Sequence, residues 1–484
     1  MSDLKETIDN KLLYNQSNEV VKAVIQRELI RYYPRTAQSG IGLGSVMEFI
    51  TPTDQVLDLA SFALSFTLNI YGPIAADVNA ADIANILDCI ERVKITYNGQ
   101  TLEEILDINA WNNLFLTMNS NEMFFKHEGS MLLKNTNQFI NSNKPWAVSS
   151  GAGYEPAAMP GAPNGGASYP GMYVKSRTFS VPLSLLCNIA KMPNYLPIFG
   201  NEFQIQLFLT NDLRTVLSVA GTPAVPPAVN NVANTNFSIS SPSLTGDVVV
   251  LESKYKRSLM NLMSSDEGII LPWTSFETNR LNAVQASTFN LQLHFSLSNA
   301  LALVLMLDDK AGKIATSVDK WALVKQSYPL TDCTSNNRNN FDGNGRFEVI
   351  CGSRYFTVPG AIQSQSELFV SATKCISSFL DIGGHSLMDY KTFTGNYVPQ
   401  TDTTAANAVY GLTPLAVNLQ KSLTSDYYSP CISDGITSSS NGASNEFMIR
   451  IQLNNSTTSQ ATWLTNIIHK RQLRFSNSTC IVEY

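Results

Sequence analysis

The sequence is poor in charge. Asp, Glu, Lys and Arg make up 15% of its 484 residues, with a formal net charge of −6. It has no long run of Lys or Arg. Phosphate binding needs clustered cations, so this argues against a dedicated nucleic-acid surface and leaves open only a small basic patch made in an assembly. Histidine is scarcer still. His127, His294, His385 and His469 stand far apart, and none belongs to an HExxH helix or neighbours a Cys pair, so no metal site is signalled. The seven cysteines (Cys89, Cys187, Cys333, Cys351, Cys375, Cys431 and Cys480) are odd in number and form no CxxC, which predicts free, mostly buried thiols in a reducing compartment. No apolar run approaches the ~20 residues of a membrane span. The start, MSDLKETIDNKLL, lacks the apolar core of a signal peptide.

Catalytic signals are equally thin. There is no GxSxG elbow. Asp342-Gly-Asn-Gly345 begins like a calcium loop, but its twelfth position is Ser353 instead of Glu. Asp308-Asp309 follows an apolar strand, and adjacent strand residues point to opposite faces, so the pair reads as a solvated turn. The expectation is a non-enzyme with no catalytic, cofactor-binding or metal residues and no cofactor.

Alternation is what the sequence has. Phe203, Ile205, Leu207 and Leu209 alternate with Gln204 and Gln206, so one face of a strand is apolar. The same pattern recurs at Phe62 to Ile70, at Val93 to Tyr97, at Phe289 to Leu297 and at Phe447 to Leu453. Ala300 to Leu307 is continuously apolar, as in a strand buried on both faces. Leu473 to Val482 reads as a last strand.

Three further readings concern local devices. Val20, Val21, Val24, Ile25, Leu29 and Ile30 recur at helical spacing behind Ser17 or Asn18 and before Pro34, predicting an amphipathic helix within residues 1–33. Asn98-Gly99 predicts a tight turn, and Thr101 with Glu104 a capping box opening a helix. Gly40-Ile-Gly-Leu-Gly44 reads as a flexible entry into the first strand, because no Lys-Ser/Thr follows. Residues 251–263 suggest a link or short helix, and 367–379 another helix. Segments 147–172, 220–246, 311–345 and 391–445 read as long polar loops. The halves show no repeat that aligns.

Certain of these stretches resemble one family. The strand at Val181 to Leu185, the YLPIFG turn at 195–200 and the alternating strand after it are similar to the end of the first jelly roll in double jelly-roll major capsid proteins of tailless double-stranded DNA viruses. This is the lineage of virophages, polinton-like viruses and adenovirus relatives. The Arg92 to Ile105 segment around Asn98-Gly99 resembles the same domain. Gly352-Ser-Arg-Tyr355 to Pro359 and Val417-Asn-Leu-Gln-Lys-Ser422 resemble the second jelly roll.

The resemblance implies an all-β fold with short helices: two tandem eight-stranded jelly-roll β-sandwiches and an N-terminal helical arm. The boundaries expected are 1–44 for the arm, 45–260 for the first jelly roll and 261–484 for the second. It implies a virion protein, made in the cytoplasm or nucleus of a host cell. Such a protein would form homotrimeric, pseudo-hexameric capsomers that tile an icosahedral shell. Its partners would be itself, a minor capsid or penton protein, and the packaged genome through the inner face. Lys22, Arg27 and Arg31 are the inner-face candidates, on a helix that either packs on its own domain or lies along the shell. Tyr154, Tyr169, Tyr173, Asn339 and Asn340 are candidates for tower loops and intersubunit contacts. The alternative is a β-sandwich carbohydrate-binding or adhesion protein, using the same loop tyrosines to stack on sugars.

Overall fold

A computed structural model describes residues 24–36, 39–72, 81–83, 86–119, 173–211, 217–219, 236–266, 268–282, 286–309, 345–357, 362, 364–377, 414–420, 435–438, 446–453, 461–476 and 479–483. The first half holds β1 (Val24–Tyr32), β2 (Val46–Thr51), β3 (Gln55–Gly72), β4 (Ala81–Ile83), β5 (Ile90–Tyr97), β6 (Gln100–Leu106), α1 (Ile108–Asn119), β7 (Tyr173–Pro182), β8 (Leu196–Ile198), β9 (Phe203–Leu209), β10 (Leu217–Val219) and β11 (Asn236–Leu251). Helix α2 (Ser253–Met263) follows. The second half holds β12 (Ile269–Asn282), β13 (Thr288–Leu293), β14 (Leu297–Asp309), β15 (Arg346–Cys351), β16 (Arg354–Tyr355), α3 (Gln365–Ser377), β17 (Leu415–Asn418), β18 (Ile436–Ser438), β19 (Phe447–Gln452), β20 (Ala461–Ser476) and β21 (Thr479–Glu483).

The sheet order identifies the architecture. In the first half one sheet runs β1-β11-β3-β7 and a second runs β2-β9-β5-β6. In the second half the orders are β12-β20-β14-β17 and β13-β19-β15-β16. Counting the eight principal strands of each half in chain order, both read 1-8-3-6 in one sheet and 2-7-4-5 in the other. All these pairs are antiparallel. That is a jelly roll, twice. The short strands β8, β18 and β21 add to β3, β14 and β20, and β4 pairs with β10.

The alternation sets the burial. Phe203, Ile205, Leu207 and Leu209 are buried on β9, while Gln204 and Gln206 are half-buried and donate to Glu48 on β2. Ala300 to Met306 on β14 are buried without interruption. Gly246 on β11 lies over the Phe62 ring, where a Cβ would collide with it. This lets β1 close down, with Tyr32 stacked on Phe62 at 6.0 Å.

Four expectations are corrected. The helix predicted within residues 1–33 is strand β1 from Val24 onward, laddered to Leu244–Leu251. Helical spacing and strand alternation both fit a short apolar stretch, and the open edge of β11 decides for the strand. Residues 1–23, Lys22 included, lie outside the described residues. The capping box of Thr101 and Glu104 is likewise a strand, β6, folded back on β5 through the Asn98-Gly99 turn, whose φ values are 48° and 75°. Once that hairpin forms, its ladder satisfies the amides that a cap would have served. The expected loop at 220–246 ends early, because β11 begins at Asn236. The single last strand is two, β20 and β21, joined as a hairpin. Cys89, Cys187, Cys351, Cys375 and Cys480 are buried, and Cys333 and Cys431 lie outside the described residues.

Candidate functional site: the seam between the jelly rolls and two open edges

Each jelly roll ends its sheets in edge strands. Among the described residues β6 pairs only with β5, and β12 only with β20. These two edges meet, and polar side chains join them. Thr278 on β12 accepts the Leu106 amide at 2.8 Å. Arg280, also on β12, donates to both carboxylate oxygens of Asp107 and, at 2.6 Å, to Glu91. Asp107 has φ 53° and turns the chain from β6 into α1, so the clamp grips the corner where strand becomes helix. Its hydrogen bond is the main reason the Arg280 pKa is raised.

Glu103 lies at the centre, 1% exposed. One carboxylate oxygen accepts the amides of Asn188 and Ile189 at 2.8 and 3.0 Å, and the other accepts the Ser275 hydroxyl of β12 at 3.0 Å. Burial pushes its pKa up, and the amides, Ser275 and Arg471 pull it back in part. Arg471 on β20 reaches across to the Leu102 carbonyl at 2.6 Å and pairs with Glu277 at 3.0 Å. Burial also raises Glu277. His469, two residues away, is lowered to about 3 by burial and by Arg471, so it is neutral at physiological pH. Aromatic contacts flank this network. Tyr97 meets Phe475 edge-on at 5.6 Å, and Phe115 of α1 meets Phe276 at 5.2 Å.

The seam makes one body of two sandwiches. Separating them would take the Ser275 hydroxyl from Glu103, the Leu102 carbonyl from Arg471, and Asp107 and Glu91 from Arg280.

Six other principal edge strands, β1, β2, β7, β13, β16 and β17, have a strand on one side only among the described residues. β1 pairs only with β11, and β16 only with β15. Ile25 is 62% exposed, Leu29 73% and Tyr33 57% along the first; Tyr355 is 56% exposed on the second.

The residues singled out from sequence are not gathered in one place. Arg27 and Arg31 are exposed on β1, where Arg27 donates to the Tyr195 hydroxyl and lies 3.6 Å from Asp58. Tyr173 opens β7 opposite Gly72, at the other edge of that sheet. Tyr154, Tyr169, Asn339 and Asn340 lie outside the described residues. His294 is exposed and 3.4 Å from Glu446. The seam residues Glu103, Arg280 and Arg471 escaped the sequence reading. Each sits on a strand with other charges, Glu104 beside Glu103, Glu277 near Arg280 and Lys470 beside Arg471, so no local signal singles it out. Among the described residues no three His, Cys, Asp or Glu side chains converge as a metal site, and no helix is long and apolar enough to cross a membrane.

No protein-family profile matches the sequence, and no curated protein does. Solved structures do match along the whole chain. The PBCV-1 protein VP54, fitted into a reconstruction of the virophage Sputnik, is 9% identical with a TM-score of 0.53, covering 97% of this chain and 99% of its own. A chain of the Sputnik virophage structure is 14% identical with a TM-score of 0.53, covering 98% and 91%. The Faustovirus major capsid protein is 11% identical with a TM-score of 0.51, covering 96% and 93%. The chain therefore has the tandem jelly-roll fold of these viral capsid proteins, matched over nearly its full length.

Proposed function

We propose that this chain is a viral major capsid protein that assembles with copies of itself into an icosahedral shell. One observation carries the reading: two jelly rolls of identical strand order are locked by a buried polar seam into one block. That block matches capsid proteins from end to end. A tiling protein needs a rigid unit with open edges, and this chain has both. The unit proposed is a homotrimer giving a pseudo-hexameric capsomer, with a minor capsid or penton protein at special positions. The role is structural and not enzymatic, and the protein's place is the virion. Arg27 and Arg31 on β1, with Lys22 before it, remain proposals for contacts with the genome or a minor protein. Tyr154, Tyr169, Tyr173, Asn339 and Asn340 remain proposals for outer loops and contacts.

The test is light scattering of the purified chain with electron microscopy of the same fraction. A mass near three chains, or hollow polyhedral particles, is the expected result. A monomer at every salt and pH, without particles, overturns the reading.

A further inference from the structure

A half-open cleft of about 30 Å³ lies against the seam. Ile105 of β6, Asn112 and Phe115 of α1 and the connection between β7 and β8 line it from the first jelly roll, and Phe276 of β12 lines it from the second. Its walls are mostly apolar, and two amides interrupt them. Asn112 is 8% exposed and Asn188 7%, and the Nδ2 of each is buried without a hydrogen-bond partner among the described residues. Burying a donor without a partner is costly, and nearly all such groups in folded proteins are satisfied. These two point to an occupant.

The unmet groups fix its chemistry. Asn188 Oδ1 already accepts from Lys191 Nζ at 3.2 Å, so Nδ2 is what that amide has left to offer. The Cys187 thiol donates to the Leu183 carbonyl at 3.5 Å. The Glu103 carboxylate next door has both oxygens occupied by Asn188, Ile189 and Ser275. The cleft therefore offers two N–H donors and, at its exposed rim, the Lys191 ammonium. A group that accepts twice and carries negative charge answers all three. Size narrows it further. At ~10–15 Å³ for each water the space holds about two waters, which suits a carboxylate head and excludes a cofactor. The apolar walls suit a short alkyl stem leading out of the mouth.

We propose that this cleft binds a small alkyl carboxylate, with its head between Asn112 and Asn188 and beside Lys191, and that the ligand clamps the two jelly rolls together. One bound molecule would touch both α1 and Phe276, adding to the contact that Phe115 and Phe276 already make at 5.2 Å. The site belongs to the folded chain whatever that chain assembles into, so it stands or falls apart from the capsid reading.

The test is calorimetric melting of the full chain with sodium butyrate, with butyramide as the neutral counterpart and sodium chloride at equal ionic strength as the blank. Butyrate should raise the melting temperature beyond the blank and with concentration, because a ligand held only by the folded state stabilises it by mass action. Butyramide should raise it less. Asn188→Asp keeps the bond to Lys191 and replaces only the donor, and Asn112→Leu keeps the shape and removes the other donor. Each should weaken butyrate binding about tenfold, the scale of one hydrogen bond to a charged group. Circular dichroism checks each fold, and one folded variant is enough. Lys191→Gln, at the exposed rim, alters no buried group and should level butyrate with butyramide. The assignment is overturned if butyrate does no more than sodium chloride, which leaves the cleft to water. It is overturned also if the folded asparagine variants bind butyrate as the wild type does, or if the wild type responds equally to butyrate and butyramide.

Discussion

The third strand of each jelly roll does the same topological work with opposite chemistry. In the first, β3 keeps its outer face polar. Ser65 bonds Ser180, Thr67 bonds Thr178 at 2.9 Å, and Asn69 bonds Ser176 and Ser240, a cross-strand ladder without charge. In the second, β14 is apolar on both faces. Helix α3, with Leu368, Ala372 and Cys375 buried, packs against the neighbouring strand β17, where Ser371 donates to the Ala416 carbonyl. A jelly roll fixes which strand pairs with which and leaves open what covers the outer face. This is why two halves with no alignable repeat share one strand order. It also explains the low charge: hydroxyl and amide ladders satisfy an exposed sheet without ion pairs.

Four substitutions would break or sharpen the contrast, and the seam is where the largest effect is expected. Arg471→Leu removes a buried cation and leaves Glu277 and the Leu102 carbonyl without it. It should cost about 3–5 kcal/mol in urea denaturation. It should also split one unfolding transition into two if the seam is what makes the halves cooperate. Gly246→Ala acts on the first jelly roll alone. Its methyl meets the Phe62 ring, so β1 must shift, at about 1–3 kcal/mol, with faster hydrogen exchange in β1 than in β12. Thr67→Val deletes one rung of the polar ladder and should cost only about 0.5 kcal/mol in the same denaturation, since the site is exposed and Val keeps strand propensity.

The gentlest change is Glu103→Gln, read as a pH profile. Burial raises the Glu103 pKa, so the folded chain holds this proton more tightly than the unfolded chain does. Its contribution is therefore fully present below the unfolded value and is lost as pH rises through the folded one. His469 works the other way. Its pKa is lowered, so its contribution is present above the ordinary histidine value and is lost as pH falls toward about 3. Across mildly acidic to neutral pH the wild-type melting temperature should fall more steeply with rising pH than that of Glu103→Gln. Parallel curves for the two would remove Glu103 from the seam's electrostatics.

Much of the fold was legible because it rests on local periodicity. The strands β3, β5, β9, β13 and β19 follow from alternation and β14 from its unbroken apolar run, and α2 and α3 fall within the helical readings at 251–263 and 367–379. The β5–β6 turn follows from Asn98 and Gly99, both at positive φ. Where local signals compete, the sequence misled. Val24 to Tyr32 fits a helix face as well as a strand, and Thr101 with Glu104 fits a cap as well as a ladder.

By itself, then, the sequence determined two β-sandwiches, their resemblance to capsid jelly rolls and the low charge of the chain. Only the tertiary structure decided that β1 is an edge strand and that Glu103, Arg280 and Arg471 meet across the seam. The reason is separation along the chain. Alternation and turn propensity act over a few residues. The partners of these groups lie more than 170 positions away: Ser275 for Glu103, Asp107 for Arg280, Leu102 for Arg471. A buried charge becomes readable only when the strand order has brought its partner alongside.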